Sequence, residues 1–339
     1  MGLMAIDKRD LSAFIDGLIP QWEVVAPVPV EFKYAFRKVG SFQDVALDYT
    51  NTMLPPKKFL LPQRDELFSC NPEGGPSLTP RFDETPRVLF GVHSCDVHGI
   101  WLLDDILAEG CSDPHYLCRR SNTLIIGLDC KGPCHDNAFC KDMGTLKPAG
   151  GFDLFLTDLG ERYAVQVGTG AGTALTERGG FYMADFEVRE EFFAAWQKKQ
   201  SGFPNRIGYD TAALPNILAE SYDDIIWEAL EMRCFDCGAC TTVCPTCYCF
   251  DVLDENDIGT DRSIRYRRWD SCQLQDFAAV AGGANFRGKR SDRLRHRLLR
   301  KGKYFKEKFG RFACVGCGRC GRSCLLHIDV RDVFNQLKG

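Results

Sequence analysis

The sequence predicts an α+β fold in two parts. A mixed α/β domain over residues 1–215 is followed by a domain over 216–339 that is organised around cysteines and interrupted by a long basic insert at 251–313. Three observations lead there. Two short apolar runs, RVLFGVHSCD (87–96) and TLIIGLDC (123–130), bracket a helix-like segment in the first part. Two cysteine runs of the same spacing start at Cys234 and Cys314 in the second. Residues 262–311 hold sixteen Lys/Arg against four Asp/Glu, so the rest of the chain carries a net −16.

A chain of 339 residues suits two or three domains, and 45% hydrophobic with 26% charged residues is ordinary for a globular protein. No apolar run approaches the ~20 residues of a membrane span. MGLMAIDKRD lacks the apolar stretch of a signal peptide, and Ile6 departs from the Ser/Thr of a myristoylation pattern. A cytoplasmic protein is the expectation. Its eighteen cysteines then point away from a disulfide framework and toward metal binding.

Along the chain, LSAFIDGLI places Leu11, Phe14, Ile15 and Leu18 at helical spacing, and WEVVAPV follows as a strand. The proline-rich NTMLPPKKFLLP (51–62) reads as loop or extended chain. The runs at 87–96 and 123–130 read as buried strands. Between them Ile100, Leu103 and Leu107 mark a helix with Asp96 as N-cap, giving a parallel βαβ unit. Residues 151–168 alternate as a hairpin turning at LGE. GTGAG after it reads as a glycine turn rather than a phosphate loop, since no buried strand precedes a helix there. Residues 186–200 and 212–233 read as helices, the second leading into Cys234 and marking a domain border near 210–220.

Cys234, Cys237, Cys240 and Cys244 follow C-x₂-C-x₂-C-x₃-C-P, and Cys314, Cys317, Cys320 and Cys324 repeat the spacing with Leu325 in place of the proline. This is the pattern of a ferredoxin-like domain with two [4Fe–4S] clusters, in which the fourth cysteine of each run serves the other cube. Cluster one is therefore expected on Cys234, Cys237, Cys240 and Cys324, and cluster two on Cys314, Cys317, Cys320 and Cys244. Paired zinc knuckles use two-plus-two spacings instead. Gly238, Gly316, Gly318 and Gly321 allow the backbone to fold tightly around the cubes.

CGACTTVCPTCYCFDV, RRWDSCQLQDFAAVAGGANFR and CVGCGRC, with TMLPPKKFLLPQRDELF, FGVHSCDVHGIWLLDDIL, RRSNTLIIGLDC and GGFDLFLTDL, resemble the beta subunit of cytoplasmic sulfhydrogenases and the related dicluster iron–sulfur subunit of anaerobic sulfite reductase. The likeness runs from about residue 50 to 330. It implies an electron-transfer protein between a flavoprotein partner, with FAD and an NAD(P)H site, and a catalytic partner. That catalytic partner would be a [NiFe] hydrogenase or a sulfite reductase. The chain itself has no dinucleotide fingerprint and no nickel-site cysteine pairs beyond the ferredoxin runs.

Cys95 and Cys130 each end a predicted buried strand, at the edge of a parallel sheet where ligands bind. The loop KGPCHDNAFC adds Cys134 and Cys140. A third [4Fe–4S] cluster on Cys95, Cys130, Cys134 and Cys140 is expected, with a structural zinc or free buried thiols as rivals. His93, His98 and His135 nearby read as packing or hydrogen-bonding residues. Cys70, Cys111 and Cys118 read as packing or exposed thiols. Cys247, Cys249 and Cys272 read as soft packing around a cluster; a metal with a fourth ligand and a place in the third site are the alternatives.

The basic insert reads as charge compensation for anionic cubes and as a docking face for an acidic partner. Nucleic-acid binding is the competing reading, without the stacking aromatics or recognition helix it needs. A further alternative is a reductase whose N-terminal cluster binds substrate directly.

Overall fold

The computed structural model describes residues 2–71, 77–257, 259 and 262–337. The strands are β1 (Leu3–Asp7), β2 (Glu23–Val30), β3 (Lys33–Lys38), β4 (Arg64–Asn71), β5 (Ser77–Pro80), β6 (Arg87–Val92), β7 (Thr123–Leu128), β8 (Leu154–Asp158), β9 (Arg162–Val167), β10 (Phe181–Met183), β11 (Phe250–Asp257) and β12 (Arg262–Trp269). Eight of them form one sheet in the order β10, β1, β9, β8, β7, β6, β2, β3. The other four form a second sheet in the order β11, β12, β4, β5.

The centre of the large sheet is parallel: β2 pairs β6, β6 pairs β7 and β7 pairs β8. Its helices are α1 (Lys8–Leu18), α2 (Ser94–Ala108), α3 (Pro114–Ser121), α4 (Gly170–Thr176) and α5 (Phe186–Gly202). β6 is buried along its whole length, and its side chains alternate between two cores. Val88 and Phe90 meet Leu11, Phe14, Ile15 and Leu18 of α1, while Leu89 and Val92 meet Val97, Ile100, Leu103 and Leu107 around α2. That two-sided cover is why the run reads as continuously apolar.

The rest of the chain adds α6 (Leu214–Glu220), α7 (Ile226–Glu231), α8 (Ala239–Thr242), α9 (Arg290–Leu299), α10 (Phe305–Phe309), α11 (Arg319–Arg322) and α12 (Val330–Gln336). A π-helical turn at Arg300–Tyr304 joins α9 to α10. Leu214, Leu218, Trp227, Leu298, Val333 and Phe334 close a separate core here.

The mixed α/β half with its βαβ unit, followed by the cysteine-rich half, is borne out, with four local differences. Asp96 does not cap α2: His93 occupies that position, and the Asp96 carboxylate is drawn instead into a buried pair with Arg319. GTGAG starts α4, because Thr169 accepts a hydrogen bond from Gly172 N and Gly172 lies so close to Asp153 O that only hydrogen fits. The helix expected over 212–233 is broken in two, with Trp227 Nε1 donating to Ser221 O across the break at 2.7 Å. The proline-rich loop contains a 3₁₀ turn at Pro56–Phe59.

The small sheet has no forerunner in the sequence pattern. β12, from the insert, pairs with β4, from the segment after the proline-rich loop, and so draws strands from both sides of residue 215. Charges lock it: Asp65 receives Arg119 and Arg267, and Arg267 also pairs with Asp113, all largely buried.

Candidate metal centres

Each ferredoxin run folds the same way. Gly238 (φ 71°) stands immediately before α8, which carries Cys240, and Gly318 (φ 68°) stands immediately before α11, which carries Cys320. A left-handed glycine turns the chain so that one helical turn begins beside the preceding thiols. At Gly316 (φ 67°) the need is also steric: a Cβ there would lie 2.6 Å from the backbone of Cys140.

The first run meets the end of the second. Cys234, Cys237, Cys240 and Cys324 line one cavity, with Leu325 and Ile328 as apolar wall. Cys237 is exposed, so this cavity lies at the surface. Cys314, Cys317, Cys320 and Cys244 make the second set, and two of them, Cys317 and Cys244, are buried. Burial raises the Cys314 thiol pKa, and Cys320, Cys317 and Cys244 nearby raise it further. Burial likewise pushes Cys317 up to about 12, with Cys244 and Cys320 adding to it. Cys314, Cys317 and Cys320, crowded together out of water, thus resist ionising until a metal centre compensates their charge, whereas the hydrogen bond from Cys247 holds Cys244 well below the usual thiol value. The donor set therefore fits iron–sulfur cubes.

The N-terminal cysteines lie in two adjoining groups, Cys95 beside Cys134 and Cys317, and Cys134 beside Cys130 and Cys140. Cys95 lies in the first turn of α2, just past β6, and Cys130 lies just past β7, the parallel neighbour of β6. Burial raises Cys134, followed by Cys130 and Cys140 as neighbouring charges, and Cys95 carries Cys134 among its own charged neighbours. Burial also pushes Cys140 up to about 12. This loop is seated on the second ferredoxin run. Phe139 N donates to Gly316 O at 2.8 Å, and Thr145 Oγ1 donates to Val315 O at 2.6 Å. His93 and His98 hydrogen-bond to backbone carbonyls, and His135 accepts from Asn137 N. Among the described residues no three His, Cys, Asp or Glu side chains converge tightly enough for a single metal ion. A cube needs no such convergence, because its thiolates bind separate irons.

An open crevice of about 680 Å³ reaches Cys130 from the carboxyl edge of β7 and β8. Three of the lysines lining it are held by carboxylates: Lys8 and Lys131 by Asp158, at 2.8 and 3.3 Å, and Lys199 by Asp129.

Charge compensation from the basic insert, where Lys301 lies, was expected, but sequence reasoning missed Arg319 and Lys57. Arg319, between Cys317 and Cys320, forms a two-point pair with Asp96 at 2.6 and 2.7 Å and also donates from Nε to Thr52 O. Its place inside a cysteine run was the available signal. Lys57 donates to Cys247 O and lies 4.5 Å from the centre of the Trp269 ring. Lys301 Nζ donates to Thr246 Oγ1 at 2.6 Å. Burial opposes the Lys301 charge, but Cys244 and Cys247 outweigh it and hold its pKa above the usual range. Elsewhere the basic stretch pairs within the molecule: Arg265 with Asp254, Arg293 with Asp236, Arg295 with Asp292 and Arg311 with Asp105.

Two paired cysteine sets, built from crossed halves and backed by buried cations, define an iron–sulfur electron-transfer protein. Residues 233–328 match the family of 4Fe-4S dicluster domains. The whole chain aligns over 340 residues with the sulfhydrogenase 2 subunit beta of Pyrococcus furiosus, at 36% identity, covering 100% of this chain and 99% of that protein. The chain belongs to the sulfhydrogenase beta subunit family. No solved structure matches it.

Proposed function

We propose that this protein relays single electrons through three [4Fe–4S] clusters, between a flavoprotein partner carrying FAD and an NAD(P)H site and a catalytic partner. A hydrogenase is favoured as that partner, because the aligned relative is named as part of a sulfhydrogenase; a sulfite reductase is the second candidate. Bound cubes would each accept and return one electron. The chain's own residues hold, bury and compensate them. Cys234, Cys237, Cys240 and Cys324 would hold the first, Cys314, Cys317, Cys320 and Cys244 the second, and Cys95, Cys130, Cys134 and Cys140 the third.

The observation that carries this reading is the seating of the Cys134–Cys140 loop on Gly316. That contact supports a third set next to the second, as a continuous path would require. Among the described residues no helix is long and apolar enough to cross a membrane; a cytoplasmic complex is part of this proposal. The two parts would divide near residue 215, with the small sheet spanning both.

Iron and acid-labile sulfide per chain, after anoxic purification, test the reading. About twelve of each are expected for three cubes. About eight would remove the third cluster, and far fewer would overturn the relay.

A further inference from the structure

Cys247, Cys249 and Cys272 have no place in the three sets, yet they line one small cavity together with Arg297, Arg300 and Lys301. Among the described residues no carboxylate lines it. Lys57, Arg297 and Lys301 are each no more than 6% exposed, and among the described residues none of them pairs with a carboxylate. Buried charge is retained only where something opposes it. The second cluster accounts for part of that opposition, since Cys244 is a neighbour of all three cations. The cations also face the uncommitted thiols. Lys57 and Arg297 lie beside Cys247, and Arg300 beside Cys249.

Two thiol–thiol contacts are made around this cavity: Cys247 with Cys244 of the second set, and Cys249 with Cys272, neither of which belongs to a set. A cube holds its thiolates apart on separate irons, whereas direct contact is what two thiols need to close a disulfide. Local structure fixes the pair: Asp270 N donates to Cys249 O at 2.9 Å, ending the β11–β12 hairpin, and Gln273 Nε2 approaches Cys272 Sγ at 3.6 Å.

We propose that Cys249 and Cys272 form a redox-active dithiol that exchanges an electron pair with the iron–sulfur relay. On oxidation the Sγ–Sγ bond forms and the remaining S–H bond of Cys249 breaks. One proton and two electrons leave, and the electrons pass singly to the iron–sulfur centres as acceptors. Reduction reverses each change. The contact favours a thiol–thiolate pair: the hydrogen bond from Cys249 pulls Cys272 down to about 6 against the effect of burial, helped by Gln273, Arg297 and Lys301. A thiolate held by cations beside its partner is the form that reacts in disulfide chemistry.

This inference rests on the relay reading for its electron acceptor. The test is a redox titration of the full-length, anoxically purified protein. Samples poised at a series of potentials are quenched in acid, alkylated, digested and analysed by mass spectrometry. The expected result is a peptide pair linked through Cys249 and Cys272 that appears with a two-electron slope. It is absent in C249S and C272S, while both variants keep wild-type iron and sulfide. Alkylation of both thiols at every potential overturns the proposal. So does a loss of about four irons per chain in a folded C249S or C272S variant, which would make them cluster ligands. Iron content of the wild type is read separately, so a failed relay would show as missing iron whatever the dithiol does.

Discussion

Arg319 and Asp96 meet in a two-point ion pair that is almost completely buried, although they stand 223 positions apart. Arg319 lies between two cysteines of the second ferredoxin run, and Asp96 follows Cys95 of the N-terminal set. The pair is thus a mechanical and electrostatic link between two candidate cluster sites. Removing one partner leaves the other charge buried and alone. D96A is expected to cost about 3–5 kcal/mol of stability, measured as a lower denaturant midpoint under anoxic conditions. An unchanged midpoint would mean the site admits water.

Cys237 is the exposed member of the first set. C237S is expected to lower iron by about four per chain and to abolish electron flow through the assembled complex. Full turnover by a complex containing C237S would remove the first cluster from the route.

Gly316 bears on two sets at once. In G316A the new methyl would meet Cys140 N and Cα at 2.6 Å, in a conformation costing roughly 1 kcal/mol for a residue with a side chain. Loss of iron from both the second and the third set is expected, read as iron per chain and loss of the matching electron paramagnetic resonance signals. Loss confined to one set would contradict the shared seat.

Lys301 places a buried positive charge beside Cys244. Positive charge favours the reduced, more negative cube, so K301M is expected to lower the potential of the second cluster while iron content stays near wild type. A potentiometric titration followed by paramagnetic resonance checks the direction.

Asp113 caps α3 and receives Arg267 from the insert. Burial tends to raise its pKa, but the hydrogen bonds from Arg267 and Tyr116 prevail and hold it below the usual carboxylate value. A depressed carboxyl contributes stability above its unfolded pKa and loses it as pH falls through the folded one. The stability gap between wild type and D113N is therefore expected to be widest above about pH 4 and to shrink in more acidic buffer. A gap independent of pH would show that the Arg267 pairing is not what Asp113 contributes.

What is legible in the sequence follows from range. The eight ferredoxin cysteines announce themselves because their chemistry needs a fixed local spacing. β6 and β7 announce themselves because burial on both faces writes an unbroken apolar run. The small sheet leaves no such trace: β4 and β12 find each other across roughly 190 intervening residues, and their half-exposed strands alternate too weakly to show it. Asp96 resembles a cap because that pattern is local, whereas its partner is not. Lys57 gives no signal at all, since a lysine in a proline-rich loop reads as solvent-exposed. Of the N-terminal thiols, the placement of Cys95 and Cys130 is legible because β6 and β7, which precede them, are parallel neighbours.

The crossing of the two cysteine runs has a consequence for how the protein is made. Cys324 lines the first cavity and Cys244 belongs to the second candidate set, so neither set is whole until residues 314–324 have been translated. Gly316 and Arg319, which seat the N-terminal loop and hold Asp96, also belong to that segment. A ribosome that stalls after the insert would release a chain whose large sheet can form but whose thiols have no finished place to receive iron. Loading the metal is thereby deferred until residues 314–324 have been made, when both crossed sets can close together.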